Sequence, residues 1–267
     1  MMKKRGAVIL SILYLLSPLS YAGVTMDLVT TDASGQETGR TKIFAQAGNI
    51  RMDDRASGLR NSMIFLGAEF LVVDHKDKSY FVMDEAMLSE VSSQISEAMK
   101  QMEEQLAGLP PEQRAMAEQM MKGQMSGMMG QEKAPEPAPR VEALGTGEWQ
   151  SFKCRNYAVY EGTEKTQELC AAAMKDIDGA DEMMAAFRGM AEFVTKMTEM
   201  MPMRSDDGLN PGELMEQING FPVHTIDFER GAVVGETSVE SVTEQDLDPG
   251  VFTAPEGYKR QDPMRRR

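Results

Sequence analysis

Sulfur and imidazole are the groups through which this chain could do chemistry. Of its 25 methionines, six lie between Met116 and Met129 and eight between Met183 and Met215. Thioethers are soft ligands that select Cu(I), and two sets have the close spacing such a site needs: Met125, Met128 and Met129, and Met197, Met200, Met201 and Met203. Methionine is also an unbranched, polarizable core filler. The spacing of Met183, Met190, Met197 and Met201 is that of one buried helix face. Core packing is therefore the first reading, the lining of an adaptable apolar pocket or partner groove the second, and copper or silver binding the third. Neither methionine stretch contains a His or Cys to complete a metal site.

The two cysteines read as a structural disulfide. Gly162 lies midway between Cys154 and Cys170. If Phe152 to Tyr160 and Lys165 to Cys170 are hairpin arms turning at Glu161-Gly162-Thr163, the cysteines face each other within disulfide reach. No CxxC spacing is present to suggest a redox-active or metal-binding pair.

The two histidines give little support to catalysis. Neither His75 nor His224 lies near a G-x-S-x-G or H-E-x-x-H motif. His75, between Asp74 and Asp77, reads as part of a polar turn rather than a weak metal site, and His224 as a sheet-face residue. No glycine-rich phosphate loop is present, so the sequence calls for no cofactor and no catalytic residue.

The N-terminus supplies an address. Lys3, Lys4 and Arg5, an apolar run from Ala7 to Leu16, and Ser20-Tyr21-Ala22 form a secretory signal over residues 1–22, with cleavage after Ala22. The apolar run is too short to span a bilayer. No cysteine follows the cleavage site, so no lipobox and no lipid anchor is expected. The expectation is a soluble periplasmic protein with no transmembrane segment in its mature chain. The formal charge of −14 argues against nucleic acid and anionic membrane surfaces as partners, despite a short basic tail over 261–267.

The elements that must position these groups fall into blocks. From Gly23 to Met83, Val24, Met26 and Leu28 alternate with polar residues, and short runs follow at Thr41 to Gln46, Ile50 to Asp53, Asn61 to Leu66, Glu69 to Asp74 and Ser79 to Met83. This is the pattern of an antiparallel meander. The period then lengthens: Met87, Leu88, Val91, Ile95, Met99, Met102 and Leu106 predict an amphipathic helix with Asp84 as its N-cap. A second helix carries Met116, Met120 and Met121 within a methionine-rich helical insertion over 84–130, and a Pro-rich linker covers 131–140. Strands return at Val141 to Trp149 and through the cysteine hairpin. Asp181 to Met201 predicts a third helix, and strands Phe221 to Glu229 and Ala232 to Thr243 follow, with an irregular stretch from Leu247 to Tyr258.

Three stretches resemble a known family: GVTMDLVTTD with KIFAQAGNIRMD, FKCRNYAVYEGTEKTQELC, and DLDPGVFTAPEGY. Together they are similar to the exported domain-of-unknown-function 4412 family, related to the lipoprotein-carrier (LolA/LolB-like) fold. The resemblance implies a curved antiparallel half-barrel with helices on its concave face, enclosing an apolar cavity that accepts acyl chains in the carriers. It supplies no catalytic residue, and the methionine-rich insertion departs from those carriers.

The expected protein is therefore a single α+β domain over 23–260, binding a lipid, acyl chain or other hydrophobic partner between sheet and helices. Periodicity nominates Met87, Val91, Ile95, Met99, Met183, Phe187, Met190 and Val194 as lining residues. A methionine-rich metal binder and an envelope structural or interaction protein, docking through the helical insertion, are the alternatives.

Overall fold

The structure, a computed structural model, describes residues 22–56, 58–108, 110, 139–200, 214 and 217–262. The signal segment over 1–21, the methionine-rich segment over 111–138 and most of the basic tail lie outside the described residues.

Alternation of apolar and polar residues becomes one open sheet of twelve strands. Its first half is a meander: β1 (Gly23–Asp32), β2 (Glu37–Gln46), β3 (Asn49–Asp54), β4 (Asn61–Phe65), β5 (Phe70–Asp74) and β6 (Ser79–Met83). A second meander comprises β7 (Arg140–Trp149), β8 (Phe152–Glu161), β9 (Glu164–Ala172), β10 (Phe221–Glu229) and β11 (Ala232–Gln245), and β11 pairs antiparallel with β1 to join the two. The first turn shows how sequence sets these hairpins: Asp32 Oδ1 accepts from the amides of Ser34 at 2.8 Å and Gln36 at 3.0 Å, and Gly35 takes the left-handed conformation at φ 81°.

Two helices are described. α1 (Glu85–Ala107) starts where Asp84 Oδ1 accepts from the Met87 amide at 2.8 Å, as the sequence predicts. α2 (Ala180–Met200) lies between β9 and β10 in the chain. Of the expected three helices, the one carrying Met116, Met120 and Met121 falls outside the described residues. No helix among the described residues is long and apolar enough to cross a membrane.

The two sheet faces are covered differently. One face carries the main core: Met26, Ile43, Ile50, Phe65, Phe70 and Val239 pack with Leu88 of α1 and Met183, Ala186 and Phe193 of α2. The opposite face is apolar at its two ends. Tyr157, Val159, Leu169 and Ala171 meet Ile218 at one end, while Ile64, Leu71 and Val73 are covered by the chain after β11 at the other.

That last segment is irregular from Leu247 to Tyr258, as expected, apart from one short turn, and it is anchored to the sheet. Phe252, 5% exposed, ends a short 3-10 turn (Pro249–Phe252) and sits against Ile64, Leu71 and Val73. Beyond it β12 (Lys259–Arg260) pairs parallel with β6, and the Gln261 amide donates to Tyr80 O at 2.7 Å. Three apolar residues of the tail, Leu247, Val251 and Phe252, have no periodic spacing, so no regular element could be read from them; burial against the sheet fixes them instead.

Candidate functional site

The cysteines are joined, as expected, but not as direct partners. Cys154 stands opposite Ala172 and Cys170 opposite Asn156, with the two Cα atoms 5.4 Å apart. The hairpin turns about Gly162-Thr163, since Glu161 pairs with Glu164, and Thr166 is an extra residue where the register shifts between Val159 and Tyr160. Turn centre and bulge together move the cysteines from facing positions to a diagonal, which strand twist keeps within bridging distance.

On the same face, Trp149 of β7 lies flat on His224 of β10, with ring centroids 3.5 Å apart and planes inclined by 2°. Strands β8 and β9 separate them in the sheet. Flat strands at the usual ~4.8 Å spacing would hold these positions about 14 Å apart, so this end of the sheet curls toward the core face. His224 Nε2 is 3.1 Å from Glu236 Oε2, and the Trp149 indole nitrogen is buried without a hydrogen-bond partner among the described residues. His224 is thus a sheet-face residue, as its position in the sequence predicts.

His75 belongs to a larger assembly. Its Nε2 is 2.7 Å from Ser62 Oγ, and its Nδ1 is 3.0 Å from the Tyr258 hydroxyl. Ser62 Oγ donates to Asp53 Oδ1 at 2.6 Å, and Asp53 also accepts from Arg51 at 2.6 Å and from Arg55 at 3.2 Å. Asp53 and Ser62 are each 1% exposed. Burial pushes the Asp53 carboxyl up, but the hydrogen bonds from Arg51 and Ser62 and the Arg51 charge outweigh it and hold the group below the ordinary carboxylate range. Burial, followed by the Arg51 charge, pushes the His75 imidazole down. Donors and acceptors then fall in one order: the Ser62 proton goes to Asp53, neutral His75 gives its Nε2 proton to Ser62, and the Tyr258 hydroxyl donates to Nδ1.

This order matters chemically. A serine nucleophile needs its proton taken by the imidazole, with a carboxylate behind the imidazole. Here the carboxylate holds the serine and the imidazole faces a phenol, which ties β3, β4, the β5–β6 turn and the C-terminal segment together. Arg51 Nη1 also donates to Val251 O at 2.8 Å, so two side chains fasten that segment. Sequence gives one hint of the network, the charges at Arg51, Asp53 and Arg55 on alternate positions of a strand end; the partners Ser62, His75 and Tyr258 are too far along the chain to be inferred.

A cleft with an apolar floor and charged residues beside it opens where α1, α2 and the β4–β5 turn meet. Its volume is about 260 Å³, and it is lined by Gly67, Ala68, Leu88, Gly189, Phe193 and Met197, with Glu85, Glu192 and Lys196 at its margins. Beneath it Phe193 packs edge-on to Phe70 at 5.3 Å between centroids, and Phe65 lies 5.9 Å from Phe193. Gly189 explains how the helix seats there: a Cβ at that position would stand 3.3 Å from Phe65 Cε1. A glycine in a helix interior costs ~1 kcal/mol relative to alanine, and this close approach is what it permits.

None of the eight nominated lining residues lines this cleft. Met183 is 2% exposed and part of the main core, and Phe187 and Met190 pack against that core half-buried. Val91 and Ile95 are half-buried, while Met99 and Val194 are exposed at 42% and 40%. Met87 points into a different groove, with Val82 and Arg260. The inward face of α2 runs through Met183, Ala186, Met190, Phe193 and Met197, so Phe193 and not Val194 is its third-turn anchor. The small residues Ala186 and Gly189 on that side were the available signal. Of the methionines nominated for metal, Met197 lines the cleft; Met125, Met128, Met129, Met201 and Met203, and the side chain of Met200, lie outside the described residues.

No family model matches the chain, and no curated protein matches it. Among solved structures it is similar to an uncharacterized conserved protein from Thermus thermophilus, at 7% identity over 91% of each chain with a TM-score of 0.42. A LolA superfamily protein from Nitrosomonas europaea aligns at 9% identity over 89% of this chain and 91% of that one, with a TM-score of 0.28. PNGF-II aligns over 91% of this chain but 31% of its own, at 6% identity and a TM-score of 0.35. Likenesses at this level carry no argument about function.

Proposed function

We propose that this chain is a non-catalytic, exported protein that binds a hydrophobic ligand between its helices and its sheet, with the helices on the concave side of a curved half-barrel. The observation that carries the reading is the cleft itself, floored by Leu88, Phe193 and Met197, with Met99 at 42% exposed and Met102 at 37% further along the α1 stripe that buries Leu88. A ligand entering beside Leu88, Phe193 and Met197 would cover such surface, and methionine adapts to varied apolar shapes. The cleft is slightly below the usual range for drug-sized ligands, which suits one end of an acyl chain or a single apolar side chain.

Two further observations support the reading. Ser62 is committed to Asp53 and lies 1% exposed, which supports a packing role over hydrolysis for the neighbouring Ser, His and Asp residues. The disulfide suits an oxidising compartment, in keeping with a signal segment cleaved near Ala22 and delivery to the periplasm.

The test is a titration with N-phenyl-1-naphthylamine, a neutral apolar fluorophore. Saturable enhancement is expected, weakened about tenfold by Ala68→Leu, which narrows the cleft from its turn side, and by Met197→Glu, which puts a charge in it. No saturable signal, or an equal signal from both variants and the unmodified chain, overturns the proposal.

A further inference from the structure

We infer that the ligand of this cleft carries a cationic head group, so that the site discriminates an alkylammonium-type amphiphile from an anionic one. The inference rests on the hydrophobic-ligand reading and adds the charge of the ligand's polar end.

The cleft floor is apolar, but its margin is not neutral. Glu85 stands at the first turn of α1, Glu192 and Lys196 on α2, and Glu69 follows the Gly67-Ala68 turn that forms the third side. Glu85 and Glu192 are exposed, and no ion pair is formed by either among the described residues. The wider helix layer has the same sign. Along α1, Glu90, Glu97 and Glu104 accompany Glu85 against Lys100; along α2, Asp181 and Glu182 accompany Glu192 against Arg188 and Lys196.

The usual device for receiving an anion at a helix is partly taken up. The first turn of α1 borders the cleft, but its Met87 amide is already taken by the Asp84 carboxylate. A carboxylate or phosphate head placed at the margin would therefore face Glu85 and Glu192, with Lys196 as the one cation among the lining residues. An ammonium head there meets the opposite balance. Charge complementarity of this kind acts within about 8 Å at physiological salt and is strongest where an apolar wall lowers the local dielectric.

The experiment is displacement of N-phenyl-1-naphthylamine by dodecyltrimethylammonium, dodecanoate and the neutral dodecyl maltoside, each below its micelle concentration, at low and at about 0.5 M salt. The ammonium amphiphile is expected to displace the probe at about tenfold lower concentration than dodecanoate at low salt, with the neutral amphiphile between them. High salt and the double variant Glu85→Gln/Glu192→Gln should each bring that ratio toward one. Equal potency, a preference for dodecanoate, or a ratio that persists in the double variant overturns the inference, the last because it would trace the preference to the acidic surface as a whole. Absence of probe binding altogether overturns the underlying reading as well.

Discussion

Cys154 and Cys170 are bridged two residues out of register, Cys154 opposite Ala172 and Cys170 opposite Asn156, with 5.4 Å between their Cα atoms. The bond pins β8 to β9 on the face where Trp149 stacks on His224, at the other end of the sheet order from β4 and β5, which floor the cleft.

Replacing both cysteines by serine removes a cross-link over a loop of 16 residues. In the loop-entropy account this costs about 3 kcal/mol, which for a chain of this size lowers Tm by about 6–12 °C. Thermal melts of the double variant, and of the unmodified protein with reductant, should agree. Probe binding at the cleft should be retained in both, since the bond lies remote from it.

Gly189→Ala tests the seating of α2. Alanine is the better helix former by ~1 kcal/mol, so an exposed site would be stabilised. Here the new methyl meets Phe65, which is 0% exposed and held between Phe70 at 5.0 Å and Phe193 at 5.9 Å. With no room for Phe65 to yield, overpacking of about 1–3 kcal/mol should prevail. A net loss in urea unfolding is expected, and a gain would show that the helix can shift outward.

Much of the architecture is legible in the sequence, because alternation and 3.6-residue periodicity are local. The strand from Asn61, the N-cap at Asp84 and the extent of α2 follow from a few neighbours each. What escapes are features that a local pattern does not encode. One inserted residue at Thr166 changes which residue faces Cys154 without disturbing the alternation on either side. A methionine-rich helix looks apolar over a wide arc, so periodicity selects Val194 on α2, while Phe193 is the residue the aromatic floor selects. The anchoring of the tail through Tyr258 and His75 joins residues 183 positions apart and leaves no mark in either segment.

Phe252→Ala should detach the C-terminal segment. Phe252 is 5% exposed against Ile64, Leu71 and Val73, and deleting a buried phenyl group costs about 3–5 kcal/mol. The remaining ties include the packing of Leu247, Val251 and Tyr258, the Arg51 bond to Val251 O, the Tyr258 hydroxyl and the short pairing of β12. Limited proteolysis should cut within 246–262 faster than in the unmodified chain while the earlier strands remain protected. Unchanged cleavage would mean that the other ties suffice without it.

The same tail makes stability depend on acid in a definite direction. His75 is held neutral by burial and by the Arg51 charge, with Asp53 and Asp74 offsetting part of the effect. Its folded pKa lies below the unfolded value of about 6.5, so as pH falls past that value the unfolded chain binds a proton the folded chain resists, and stability declines until the folded pKa is passed. Asp53 acts lower. Its folded pKa is depressed, so its contribution is complete above the unfolded value of about 3.9 and is lost as pH falls through the folded value. Urea midpoints between pH 7.5 and 5 should therefore fall less steeply for His75→Gln than for the unmodified protein. His224 and the surface carboxylates are common to both chains and cancel in that difference. Once the pH is below the folded pKa of His75 the two profiles should run parallel, because the imidazole is then protonated in both the folded and the unfolded chain. Parallel profiles already between pH 7.5 and 5 would show that His75 binds a proton as easily in the folded protein as in the unfolded chain.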